Sequence, residues 1–470
     1  MSARDHDIVL FGATGFTGRL TAAHLARTHL AAGLRLALAG RDAGKLEAVR
    51  AELAAETPAA AGLPLLIADA HDRPALERVA ASARVVATTV GPYAKYGETL
   101  VAACAAAGTH YADINGEVPF MRRMIDLHHA EAQRTGARIV HTCGYDSIPS
   151  DLGAWFVCRA YRERHGELPS SLLHAAGESR GAVSGGTVAS GLNLFDAASG
   201  DRALRRLLAD PYALVDGPRG DDPRDDLKVR FERDLGLWTG PFVMASVNGR
   251  VVRRSASLLA LEGRGGYGSA RYTEVMSTGR GPRGALLAGA VSAAIAGGVA
   301  VLSVAPLRRF AAARLLPKPG EGPSAEDRRR GFFVSRFVAA GPKGVVRATM
   351  RGEGDPGYDA TSRMLGESAM CLAFDASTPR AGCGRPRPRC PRPSSPGSGR
   401  SGSASTSTRP DPRAGLQPKR RFWPWMYSST ASREGRWKPT RPAAISRRAS
   451  TAGLFLKRCC SICSRAPFMI

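Results

Sequence analysis

The chain reads as an α/β protein: a doubly wound parallel sheet, then a second, mixed α+β domain, then a disordered C-terminal tail. Three observations carry this reading. Residues 8–150 alternate short apolar runs with helix-period segments. A glycine-rich turn follows the first apolar run directly. Composition changes abruptly after Asp375. Strands that alternate with helices predict parallel pairing through crossover connections.

The elements follow in order. Ile8–Phe11 is an apolar run of buried-strand length. Thr17–Leu30 carries Leu20, Ala23, Leu25 and Ala26 near one helical face. Leu34–Ala39 is a second strand and Ala43–Glu56 a second helix. Leu65–Ala68 is a third strand, and Pro74–Ser82 a helix that opens on proline. Val85–Val90, His110–Asp113 and Arg138–Thr142 are further strands, separated by the helices Gly97–Ala107 and Met121–Thr135. The division is therefore residues 1–150 for the parallel sheet, 151–375 for a cleft-covering α+β domain and 376–470 for the tail. Within the second domain, strand-like pieces fall at Leu227–Glu232, Pro241–Val252, Tyr267–Met276 and Phe332–Arg351, with a polar insertion at Asp196–Asp226.

Ala285–Ala305 holds 21 residues without a charge, between Arg283 and the pair Arg308–Arg309. That length suits a bilayer, but Ala, Gly, Val and Ser dominate it and make insertion marginal. A buried or interfacial helix and a membrane contact through 285–305 both stay open.

The net charge of +25 suggests nucleic acid until its distribution is seen. Residues 376–470 hold 20 Lys and Arg against two acids, which leaves +7 on residues 1–375. A nucleic-acid partner is not expected. The Arg/Pro/Ser/Gly tail has too little apolar surface to offset its ordering entropy, so disorder is expected. Its composition also fits a GC-rich gene read out of frame from near Cys383. Isolated cysteines and a polar Met1–Asp7 point to a reducing, cytoplasmic setting.

Gly12-Ala13-Thr14-Gly15-Phe16-Thr17-Gly18 joins the first strand to the first helix, the context of a Rossmann-type dinucleotide fingerprint. Gly12 permits the turn, Gly15 admits the diphosphate, and Gly18 lets helix pack on strand. After the second strand stand Arg41 and Lys45, and Arg41 can fork onto a 2′-phosphate. NADP is favoured over NAD, the alternative being that Asp42 holds the ribose. Asp69 can meet the adenine amine or cap a helix. Gly91 and Pro92 border the nicotinamide side. Proton-donor candidates are Tyr93, Lys95, Tyr96, Asp113, His141, Tyr145 and Asp146, with Tyr93 and Tyr145 favoured for facing the cleft. Ser184, Gly185, Gly186 and Thr187 can receive a carboxylate, thioester or phosphopantetheine phosphate, or allow close helix packing.

Six motifs then occur in order: Gly12–Gly18, Ala39–Arg41, Val90–Tyr93, Tyr111–Glu117, Cys143–Asp151 and Ser184–Thr187. Over roughly residues 5–375 they resemble the saccharopine dehydrogenase-like oxidoreductases, in the branch of trans-acting enoyl reductases. The resemblance implies an NADPH-dependent reductase of acyl or polyketide thioesters in envelope lipid synthesis, working with a polyketide or fatty-acid synthase that lacks its own active reductase. A saccharopine dehydrogenase-like reductase of another small substrate, and a non-catalytic NADP-binding subunit of a lipid-synthesis complex, are the alternatives. No metal ligand set is expected.

Overall fold

The computed structural model describes residues 4–181, 185–261, 266–304, 306 and 322–375. The tail at 376–470 lies outside the described residues. In the first part, β1 (His6–Phe11), β2 (Leu36–Gly40), β3 (Leu65–Ile67), β4 (Ala83–Thr88), β5 (His110–Asp113) and β6 (Ile139–Val140) form one sheet in the order 3-2-1-4-5-6. All its pairs are parallel. The order reverses between β1 and β4, which opens a crevice at the carboxyl ends of those strands.

Two faces of the sheet bury two sets of side chains, because successive residues of a strand point opposite ways. Ile8 and Leu10 pack with helices α1 (Phe16–His29) and α2 (Ala43–Glu56) through Leu25 and Leu46. Val9 and Phe11 pack on the other side with α3 (Arg73–Ser82), α5 (Glu98–Ala107) and α6 (Val118–Thr135), through Leu76, Val101 and Met124. The short α4 (Tyr93–Tyr96) follows β4.

The second sheet contains β7 (Ser171–Arg180), β8 (Arg230–Glu232), β9 (Leu237–Pro241), β10 (Arg271–Gly279), β11 (Phe332–Gly341) and β12 (Gly344–Glu353), in the order 12-11-7-10-9-8. Only β7 and β10 pair in parallel within it. Helices α7 (Ile148–His165) and α10 (Ala245–Leu261) cover one face, with Val157, Tyr161 and Val252 against Phe333 and Phe337. The remaining helices are α8 (Gly185–Gly200), α9 (Arg202–Ala209), α11 (Gly281–Ser303), α12 (Ala325–Arg329) and α13 (Thr361–Phe374).

The strand expected at Pro241–Val252 is corrected. The chain leaves β9 at Pro241 and becomes α10 at Ala245. Val251 and Val252 face two different cores, and the polar insertion supplies carboxylates for the arginines between them. Arg250 pairs with Asp225, Arg253 with Asp222 at 2.9 Å and Arg254 with Asp216 at 2.6 Å. These pairs, in which the arginines are buried, tie the insertion to α10.

The last helix crosses back. Although the sequence groups it with the second domain, α13 packs on α1, β4 and β5 of the first. Leu365, Ala369, Met370 and Leu372 join the core of Leu25 and Val85. Glu367 Oε1 takes contacts from His24 Nε2 at 2.7 Å and His29 Nε2 at 2.9 Å, which clamps α13 to α1.

Candidate active site

The site begins at the turn between β1 and α1. Gly12 has φ of +88°, and its N–H donates to Ala39 O at 2.9 Å. A Cβ at Gly12 would sit 2.6 Å from Val90 Cγ2, and one at Gly18 would sit 2.1 Å from Gly12 O. Neither position tolerates a side chain. A Cβ at Gly15 would meet only Gly12 O, at 3.4 Å, so that side of the turn stays open. No side chain caps α1, and its first turn holds no acid. Free N–H groups at the positive end of a helix dipole fit a diphosphate. The main chain of Ala13, Thr14 and Thr17 lines this turn. Phe16 turns its ring away, against Tyr358 with centroids 4.8 Å apart and under the Arg328 guanidinium at 5.3 Å. The second domain therefore clasps the glycine turn from behind.

On the adenosine side, Asp42 is committed as the α2 cap, accepting from Lys45 N at 3.0 Å. Arg41 is exposed at the end of β2, and among the described residues it makes no hydrogen bond or ion pair. An occupied acid beside an uncommitted guanidinium fits the 2′-phosphate of NADP. Lys45 Nζ stands 3.8 Å from Asp42 Oδ2 and is exposed. Asp69 does not cap α3; Asp72 does, accepting from Ala75 N at 3.1 Å. The Asp69 carboxylate instead accepts from His71 N at 2.9 Å, turning the chain after β3.

On the nicotinamide side, the Gly91–Pro92 peptide is cis. Tyr93 is corrected as a proton donor. Its hydroxyl donates to Thr88 O at 3.2 Å and accepts from Ile114 N at 3.3 Å, inside the core of the first sheet. Burial holds its phenol well above the ordinary range. The short helix α4 rolls the ring inward because Glu117 takes the N–H groups of Tyr93 and Ala94, both at 2.9 Å. Asp113 and His141 are likewise structural. Asp113 accepts from Tyr111 at 3.0 Å, Thr142 N at 2.9 Å, Asn115 N at 3.0 Å and His141 Nδ1 at 2.7 Å. One carboxylate thus sets the loops after both β5 and β6.

The loop after β6 carries Tyr145 and Asp146. Tyr145 is half-buried; its N–H donates to Thr361 Oγ1 at 3.1 Å and its ring lies 4.6 Å from Phe333. Burial and the neighbouring Asp146 charge push its phenol up, so it holds its proton. Asp146 has no hydrogen bond or ion pair among the described residues, and burial raises its carboxyl to about 6. The next residue, Ser147, donates to Asn248 at 2.8 Å, and Asn248 donates to Glu274 Oε1 at 2.7 Å. Tyr272 donates to the other oxygen of Glu274 at 2.7 Å. The loop is thereby pinned to the second sheet. Ser184 lies outside the described residues, and Gly185, Gly186 and Thr187 form the first turn of α8. A separate cavity, lined by Asp226, Arg253, Tyr272 and Val338, meets this network at Tyr272 and Glu274.

The saccharopine dehydrogenase NADP-binding domain matches residues 8–140. A Mycobacterium tuberculosis protein is 45% identical over 387 residues, 79% of this chain and 90% of its own. A second from that species, named trans-acting enoyl reductase, is 44% identical over 386 residues with the same coverage. One of that name from Mycobacterium ulcerans is 42% identical over 384 residues, again covering 79% and 90%. The chain belongs to the trans-acting enoyl reductase family. Yeast saccharopine dehydrogenase (L-Glu forming) overlays with a TM-score of 0.42 at 13% identity, over 78% of this chain and 91% of that one.

As a member of this family, the chain is an oxidoreductase with an NADP-binding domain. Two of its site residues escaped reading from sequence. Glu117 holds α4 and also accepts from Ser190 of α8 at 2.7 Å. Thr142 adopts φ of +59°, which sets the direction of the loop that carries Tyr145 and Asp146. No spacing rule marks either, since both act through partners distant in sequence.

Proposed function

We propose that this chain reduces the carbon–carbon double bond of an enoyl thioester, on an acyl or polyketide chain carried by a cytoplasmic synthase of envelope lipid synthesis. The relatives' name and the NADP-binding domain support the reaction class. Asp146 is the observation that carries the mechanism. When bound, NADPH supplies a hydride for the β-carbon of the enoyl group. The residues Gly12, Ala13, Thr14, Gly15, Thr17 and Gly18 hold the diphosphate, Arg41 and Lys45 the 2′-phosphate, and Asp69 the adenine edge. Gly91 and Pro92 border the nicotinamide. Asp146 then gives its proton to the α-carbon, since a carboxyl near 6 is both protonated in part and willing to donate at neutral pH. Tyr145 walls the same loop and keeps its own proton. The first turn of α8, with Gly185, Gly186 and Thr187, receives the thioester or the phosphopantetheine arm.

The test is turnover of NADPH with acyl-carrier-bound enoyl thioesters, with saturated product identified by mass. Oxidation of NADPH with stoichiometric saturated thioester is expected. Tight NADPH binding without turnover on any enoyl thioester would sink the reading and leave a cofactor-binding subunit.

A further inference from the structure

We infer that His24, His29 and Glu367 form a zinc site that bolts α13 to the end of α1. The three side chains offer one ligand atom each, and those atoms lie within 4.8 Å of one another. Both imidazoles aim Nε2 at the same carboxylate oxygen, Glu367 Oε1, at 2.7 Å from His24 and 2.9 Å from His29. Sequence spacing does not mark the set. His24 and His29 are five residues apart, and Glu367 stands 338 residues beyond His29.

The carboxylate lacks a fixed cation. Its side chain is 5% exposed, and a buried charge is costly unless it is paired. Among the described residues the two imidazoles are its only partners, and no lysine, arginine or main-chain N–H reaches it. Its second oxygen, Oε2, accepts no hydrogen bond among those residues. The cluster is balanced only with a positive charge at its centre. That charge is a proton on one imidazole or a metal ion between all three ligands. Imidazole ordinarily loses its proton near neutrality, whereas a divalent ion keeps its charge at any pH.

The donor set matches the ion. Two imidazole nitrogens and one carboxylate oxygen are ligands of zinc, with a fourth position left for water. Around a tetrahedral zinc, ligand atoms at ~2.0–2.1 Å from the metal stand about 3.3 Å from one another. From 2.7 and 2.9 Å, the imidazoles need to retreat by only about half an ångström. The two imidazole side chains are 13% and 14% exposed, so an ion and its water can enter from solvent. His29 is the last residue of α1, where the helix dipole is negative and favours a cation. The frame is close-packed. A Cβ at Gly366 would sit 3.1 Å from His24 Cδ2, so glycine there lets α13 press against the His24 ring. Leu25 and Ala369, near the ligands in sequence, are fully buried.

The helix so bolted braces two parts of the site. Thr361, at the start of α13, accepts from Tyr145 N at 3.1 Å, and Ser362 donates to Thr17 O at 3.4 Å. A metal at Glu367 therefore steadies the helix that holds both the glycine turn and the loop of Asp146. Metal binding is read without coenzyme or substrate, so it stands apart from the reaction proposed above.

The experiment is a melting series on the full chain, stripped with chelator and with the five tail cysteines alkylated so that their thiolates do not compete. Zinc at about a hundredfold excess over its Kd should raise the melting temperature by several degrees, and magnesium should not. Calorimetry should count one zinc per chain. Glu367→Gln and His29→Gln should each weaken zinc binding by more than the roughly 10–100-fold that an outer contact is worth. Each variant should still melt in one transition without metal. X-ray absorption at the zinc edge of the unaltered chain should show two imidazoles and an oxygen at about 2.0–2.1 Å, which keeps the test decisive if a variant fails to fold. No zinc-dependent rise in the unaltered chain, or an equal rise in the folded variants, overturns the proposal. So does a single imidazole, or sulfur at about 2.3 Å, because the ion then sits elsewhere.

Discussion

Glu367, at the seam between the last helix and the first sheet, and Asp151, in the core of the second domain, are both buried carboxylates. They respond in opposite directions. Burial alone would raise Glu367, but the N–H groups of His24 and His29 outweigh it, and its carboxyl lies below the ordinary range. Asp151 has one donor, Ser255 at 2.9 Å, and its other oxygen meets none. Burial wins there and the carboxyl rises to about 7. The difference teaches what burial does when donors are counted: a partnered carboxylate clamps, and an unpartnered one keeps its proton. Asp146, in the loop after β6, belongs to the second kind.

The largest effect is expected at that residue. Asp146→Asn should lower turnover by about 10²–10⁴-fold with NADPH affinity unchanged. In the unaltered enzyme the rate should fall as pH rises through about 6, because the donating form is the protonated one. That limb should vanish in the variant; an unchanged pH–rate profile would move the donor elsewhere.

Glu367→Ala should come next, at about 1–3 kcal/mol of stability in denaturant titration, since two histidines lose their acceptor. The contribution of Glu367 should be present above the ordinary carboxylate range and lost as pH falls through its lowered value. Arg41→Ala should weaken NADPH binding by about ten- to a hundredfold and NADH binding little, the worth of a charge-assisted contact to phosphate. Calorimetry with both coenzymes reads it, and equal losses would return the ribose to Asp42.

The smallest effect sharpens the comparison most. Because Asp151 titrates higher in the fold than unfolded, it should make stability decline as pH rises from about 4 to about 7. Asp151→Asn keeps the Ser255 contact and should flatten that decline, with little change at low pH. Melting temperatures across the range check it. A steeper decline would mean the charged form is stabilised by groups near Asp151.

The first sheet was legible because each local signal agrees with its neighbours. Ala43–Glu56 and His110–Asp113 fall where the sequence puts them. Pro241–Val252 was not, because its β-branched pairs suit a strand locally while Arg250, Arg253 and Arg254 need the carboxylates of a distant insertion. Tyr93 follows the same rule. Its position after β4 marks the cleft, but Glu117, from another loop, turns the residue inward.

From sequence alone, then, came the glycine turn, the strand–helix alternation, the basic end of β2 and the family, since each depends on residues adjacent along the chain or spaced by one period. The tertiary structure alone decided which carboxyl keeps its proton, which tyrosine is core and where α13 packs. Those depend on burial and on donors brought from remote positions, and no local pattern of residues encodes either.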